Sequence, residues 1–164
     1  MKKILSFLDE HFEEYLLIAI LGIMSIVICY QVFMRYVMAA SLSWSEELAR
    51  YLFIWMAYIA ISYGVKMKQH VSVEAFTLLF PEKHRYIFDI IGDLVFGIFS
   101  VLVLYYSWGV LQGQIQMGQT SPGIQCPMFI IYAAPFGGFI LVLIRLIQDI
   151  YSIVKENCMK GGAK

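Results

Sequence analysis

Two groups of ionisable residues are the places where this sequence could do chemistry. The first is Glu46, Glu47 and Arg50, with Arg35 a short way upstream. Residues three and four apart are neighbours on a helix, so Glu46 and Glu47 can each form a local pair with Arg50. Arg35 is placed to join them across a helix–helix contact. The second group is Arg85, Asp89 and Asp93 at four-residue steps, with Arg145 far along the chain. If their helices run antiparallel, an Asp93–Arg145 pair forms. Such clusters hold helices or partner subunits together. Nucleophilic or acid–base catalysis would need a serine, cysteine or carboxylate set beside a histidine, and His11, His70 and His84 occupy no such arrangement. A haem site would need histidines projecting from facing helices, which these do not supply. Cys29, Cys126 and Cys158 form no C-x-x-C pair for zinc or redox chemistry and read as free thiols. The expectation is a protein that is not an enzyme and carries no cofactor.

The elements that position these groups follow from composition. Of 164 residues, 60% are apolar and 15% charged, and the mean hydropathy is +0.73, outside the range of an ordinary soluble domain. Twelve basic and twelve acidic residues cancel, so no basic field exists to bind nucleic acid. Three uncharged runs stand out: Tyr15 to Met34, Tyr51 to Val65 and Leu94 to Ile144. The first matches the roughly 20 residues that cross a bilayer. The third is long enough for two helices, separated by a polar stretch from Gln112 to Pro127 that carries five glutamines. The second run is extended by Ser43-Trp44-Ser45-Glu46, which fits a capping box, with Trp44 in an interfacial aromatic belt.

The expected fold is therefore an all-α membrane protein with four transmembrane helices, near 14–37, 43–65, 86–112 and 126–149, in a single domain covering 1–164. Residues 1–13 form an amphipathic N-terminal segment and 150–164 a cytoplasmic tail. Ile4, Leu8, Phe12 and Tyr15 lie opposite Asp9, Glu10, Glu13 and Glu14, the pattern of a helix lying on the membrane surface; Val71 to Phe80 is a second short candidate. Lys2, Lys3, Lys66, Lys68, Lys83, Arg85, Arg145, Lys155, Lys160 and Lys164, ten of the twelve basic residues, fall on one side. Basic residues are retained in the cytoplasm, so both termini are expected there. Met38-Ala39-Ala40 resembles a signal cleavage site, but Asp9, Glu10, Glu13 and Glu14 precede the apolar run where a basic segment would be needed; the first helix is read as uncleaved.

Carrier chemistry needs a charged or unwound site at the bilayer midplane. Every helix centre here lacks a charge, and Pro135-Phe136-Gly137-Gly138 reads as a kink. Packing material is plentiful: Gly109-x-x-x-Gly113, Ala133-x-x-x-Gly137 and Ala134-x-x-x-Gly138 are small-residue pairs that let helices approach closely.

Gln31-x-x-x-Arg35, Trp44-x-Glu46-Glu47-x-x-Arg50, Trp55, Gly64 and His70-Val71, in that order, resemble the small membrane subunit (DctQ type) of tripartite ATP-independent periplasmic, or TRAP, transporters. Asparagine is common in that family where Gln31 stands here. The likeness extends to the sialic-acid branch, with C4-dicarboxylates and other carboxylates open. The resemblance implies a multi-pass protein of a bacterial inner membrane, partnered by a large membrane subunit (DctM or SiaM type), by a periplasmic substrate-binding protein that docks transiently, and by membrane lipids. It implies a non-catalytic scaffold that braces the static part of a sodium-coupled, elevator-type permease for organic acids. On this reading Arg35, Trp44, Glu46, Glu47, Arg50, Asp93 and Arg145 serve structure or the partner interface, and no residue binds substrate or metal. The rival readings are a homo-oligomeric channel lined by the glutamines near the end of helix three and an accessory to a membrane enzyme.

Overall fold

A computed structural model of the chain describes residues 2–40, 42–67 and 85–161. Four long helices account for nearly all of them: α1 Lys2–Tyr36, α2 Ser43–Lys66, α3 Arg85–Met117 and α4 Phe129–Gly161. Each contains a stretch long and apolar enough to cross a membrane: His11–Tyr36, Ser43–Lys66, Ile90–Met117 and Phe129–Tyr151. The chain is a multi-pass, all-α membrane protein, as its hydropathy requires.

The helix limits differ from the sequence reading in informative ways. α1 runs without a break from Lys2, so the amphipathic segment is continuous with the first span and is not a separate surface helix. α3 continues to Met117, which places Gln112, Gln114 and Gln116 on the helix and shortens the polar connection to 118–128. Uncharged amides satisfy a helix backbone as well as apolar residues do; Gly118, with φ of +59°, is what ends it. α4 extends through Gly161, so most of the expected tail is helical. It also passes through Pro135 unbroken and is not a discontinuous transport helix. Val71 to Phe80, His70 and His84 lie outside the described residues.

The helices form a row and not a closed bundle. Among the described residues α1 packs on α2, α2 on α4, and α4 on α3, and no other pair of helix backbones comes close. The order across the row is therefore α1–α2–α4–α3. Each helix buries only a stripe, and the span of α1 is the least covered, with Ile20 its single buried apolar residue. In hydrocarbon this is tolerable, because lipid tails solvate apolar side chains as well as a protein core does, and association rests on close packing and polar contacts.

The close packing is concentrated at the α2–α4 seam. Val65, Phe139, Val142 and Leu146 form the core cluster, flanked by Tyr58, Phe96, Val103, Leu104 and Leu143. Ala134 is fully buried, and a Cβ placed on Gly138 would stand 2.6 Å from Tyr58 Cβ and 3.0 Å from its carbonyl oxygen. A Cβ placed on Gly137 would stand 3.6 Å from the Trp55 ring. The Ala134/Gly138 pair thus does what small residues at four-residue spacing are suited to do. The Gly109/Gly113 pair does not: nothing lies within 4 Å of either position. On α3 the buried side carries Asp93, Ser100 and Leu111, and at about 100° per residue the two glycines point the other way. Of the aromatic residues, Phe33, Phe53, Phe99, Tyr105, Tyr106 and Trp108 are exposed.

Candidate functional site

Polar side chains tie the row together at both ends. At the end formed by the two short connections, α2 begins at Ser43 after an extended Leu42, which has φ of −103° and makes no side-chain cap. The expected capping box does not form, because Leu42 and not Ser43 holds the N-cap position and Glu46 pairs with Arg50. Ser45, fully buried, donates its hydroxyl to the Leu42 carbonyl at 2.8 Å. Glu46 turns outward to Arg50 at 3.2 Å, with about two-thirds of each side chain exposed (65% and 66%).

Glu47 leaves its own helix. Its Oε2 accepts the backbone N–H of Gly123 at 2.7 Å and of Ile124 at 3.0 Å; its Oε1 accepts the Tyr51 hydroxyl, and the Ser121 hydroxyl is a further partner. The expected Glu47–Arg50 pair is replaced by this grip on the α3–α4 connection. That connection is built to present its N–H groups. Thr120 and Pro127 form an isolated antiparallel bridge, Ser121 N–H donates to Cys126 O and Met128 N–H to Gln119 O, both at 2.9 Å, and Gln125 adopts φ of +56°. Backbone N–H groups in a turn that face no carbonyl need an acceptor, and the glutamate supplies it with a charge-assisted bond. Gly123 is required, since a Cβ there would collide with the Glu47 carboxylate. Ser43, Glu46, Glu47, Arg50, Pro122 and Gly123 line a recess of about 290 Å³ at this place.

Arg35 does not join this group. It is exposed at the end of α1 and makes no ion pair among the described residues. Trp44 is 40% exposed and rests against Tyr30, with ring centroids 6.4 Å apart. The structure therefore separates Glu47 from its neighbour, which the sequence treats alike. Glu47→Ala and Gly123→Ala are each expected to raise amide exchange at Ile124 on the order of tenfold, because each removes the acceptor. Glu46→Ala should leave it unchanged and move stability by less than about 0.5 kcal/mol, the worth of an exposed pair. Hydrogen–deuterium exchange on the three variants checks this, and equal effects at 46 and 47 would remove the distinction.

At the opposite end the central group is Glu13, which the sequence reading assigned to the water-facing side of a surface helix. It is fully buried inside the first span. Its Oε1 accepts the Ser62 hydroxyl of α2 and Nε of Arg145 from α4, both at 2.8 Å, and Lys66 Nζ lies 3.6 Å from Oε2. Arg145 in turn donates Nη1 to Gln148 at 2.7 Å. Asp93, expected as the partner of Arg145, is buried on α3; the carboxylate on Arg145 Nε is that of Glu13. The side chains of Arg85 and Asp89 lie outside the described set. A buried carboxyl side chain thus lies within the first apolar span, close to its end and away from its centre. Its signal was available: Glu13 is seven residues before Ile20, on the face that α1 turns to α2.

Among the described residues no three histidine, cysteine or acidic side chains are grouped to hold a metal ion. Cys29 is an exposed free thiol and Cys126 a partly buried one.

Comparison with known proteins gives a concordant result. Residues 24–156 match the family model described as tripartite ATP-independent periplasmic transporters, DctQ component. The chain is 32% identical over 93% of its length to the isethionate TRAP transporter permease protein DctMQ of Oleidesulfovibrio alaskensis, and spans about a quarter (25%) of that longer protein. It is 31% identical over 94% of its length to a putative TRAP transporter small permease protein of Haemophilus influenzae, covering 97% of it. It is 25% identical to the sialic acid TRAP transporter small permease protein SiaQ of Vibrio cholerae, over 93% of this chain and 87% of that one. These matches, together with the four apolar spans, show that the chain belongs to the DctQ family of small, non-enzymatic TRAP transporter subunits.

Proposed function

We propose that the protein is the scaffold subunit of a sodium-coupled TRAP transporter for organic acids, such as sialic acid or C4-dicarboxylates, in a bacterial inner membrane. In this role it braces the static part of a large elevator-type permease subunit, contacts a periplasmic binding protein transiently, and keeps both termini in the cytoplasm. The observation that carries the reading is the open row of helices pinned at both ends by polar anchors. Such a row widens a partner's membrane footprint without enclosing a path of its own. An elevator domain needs a frame that neither tilts nor follows it, and ties at both ends resist shear between neighbouring helices.

Relatives support the choice of partner and cargo. The isethionate permease that contains a segment like this chain is about four times as long as the matched region, as expected where small and large parts act together. Other relatives are described as C4-dicarboxylate, sialic acid and ectoine small permease proteins. The basic residues at the two ends of the chain and between the second and third spans support the orientation. Arg35, exposed at the end of α1, and the exposed Trp44, Glu46 and Arg50 of α2 are assigned to the partner interface; Asp93 and Arg145 are assigned to internal structure.

Co-expression with the large permease tests the proposal. The expected result is a one-to-one complex that, with the binding protein, accumulates organic acid in vesicles when a sodium gradient is imposed, whereas this chain alone leaves vesicles inert. Uptake by the lone chain, or a permease that purifies and transports equally well without it, would overturn the scaffold role.

A further inference from the structure

We propose that Glu13 is a latch that seats the first turns of the α1 span only when α4 is in place, making the crossing of the first helix conditional on Arg145 of the last. α1 packs on α2 alone and has one buried apolar residue, Ile20, along its span. Contact with α2 alone seats it, with so little buried apolar surface that one unmatched charge can displace it. A carboxylate within the hydrophobic span is costly unless paired, and Glu13 is both inside the span and fully buried.

Its partners enter the membrane in sequence. Ser62 and Lys66 come with α2, but Lys66 Nζ stands 3.6 Å from Oε2, beyond hydrogen-bond reach. The charged hydrogen bond comes from Arg145, 132 positions along the chain. Arg145 faces the same difficulty: it is 9% exposed and lies inside the span Phe129–Tyr151. Each side chain meets the other's need, and α1 and α4 have no backbone contact through which they would otherwise be aligned. A change at Arg145 is therefore felt on α1, across the intervening α2. This inference concerns the isolated chain and stands whether or not the scaffold role does.

The test uses the full chain in lipid nanodiscs with Cys29, Cys126 and Cys158 replaced by serine. Spin labels at Tyr15 and Ile147, both exposed, report the α1–α4 distance; labels at Ile98 and Ile144, also exposed, report α3–α4 as a control. The expected result is one narrow α1–α4 distance in the parent. In Arg145→Gln it broadens and shifts by about 5 Å, one helical turn, while the control pair stays narrow. Glu13→Gln combined with Arg145→Gln buries no unmatched carboxylate and should restore the parent distance. The proposal is overturned if Arg145→Gln keeps the parent distribution, if the control pair broadens equally, or if the double variant stays as broad as the single one. Should Arg145→Gln fail to accumulate, the double variant decides alone: accumulation with the parent distance supports the latch, and failure rejects it.

Discussion

Glu13→Ala is expected to lower the stability of the folded protein by about 3 kcal/mol, the lower end of what breaking a buried ion pair from one side costs. The figure is low in that range because Lys66, with 18% of its side chain exposed, can turn its ammonium towards water when the carboxylate is gone. Arg145 has less freedom, being 9% exposed and within its span, so most of the penalty falls on its guanidinium, which loses the Glu13 carboxylate. Ser62, fully buried, loses its acceptor as well. Because the loss comes from leaving a charge behind, replacing Glu13 and Arg145 together by leucine should recover most of it. Reversible unfolding in nanodiscs, read for the two single variants and the double, measures the cycle. A single substitution costing less than about 1 kcal/mol, or a double as damaging as the sum, would show that the anchor at this end lies elsewhere.

The membrane class, the four spans and their order were legible because hydropathy over twenty residues reports a solvent, not a partner. The Ala134/Gly138 seam was legible for a related reason: small residues at four-residue spacing describe a surface that admits close approach. That same pattern at Gly109/Gly113 proved silent, since spacing says that a face exists and not which neighbour it meets. Glu13 and Glu47 mark the other limit. Both sit among similar acids, Glu14 and Glu10 in one case and Glu46 in the other, and local helical logic treats the members of each set as equivalent. What separates them is a partner more than seventy positions away: Gly123 and Ile124 for Glu47, Arg145 for Glu13. Charge pairs read from i, i+3 and i, i+4 spacing captured the Glu46–Arg50 pair, which is the exposed one. They missed the buried Glu13 contact and the half-buried Glu47 contact because a carboxylate within reach of N–H donors on another element can leave its own helix to meet them.

Gly138→Val is expected to be the most disruptive change at an uncharged position, costing about 3 kcal/mol, the upper end of ordinary overpacking. The collision it creates involves the Tyr58 Cβ and carbonyl oxygen, at 2.6 and 3.0 Å from the new Cβ, atoms that cannot swing aside as a long side chain would. The helices themselves must separate. The place matters as much as the distance, because among the described residues α2–α4 is where the helix backbones of the α1–α2 half of the row pack on those of the α4–α3 half. Opening it also loosens Val65 from Phe139, Val142 and Leu146, so the two polar anchors are left to hold the halves together. Gly109→Val is the control. With nothing within 4 Å, it adds an apolar group to a lipid-facing surface and should leave the unfolding midpoint within a degree or two of the parent, about 0.5 kcal/mol. Thermal unfolding of the two variants in the same lipid discriminates them. If both are tolerated the seam is looser than its geometry states, and if Gly109→Val is the worse of the two, α3 has a neighbour that the row does not contain.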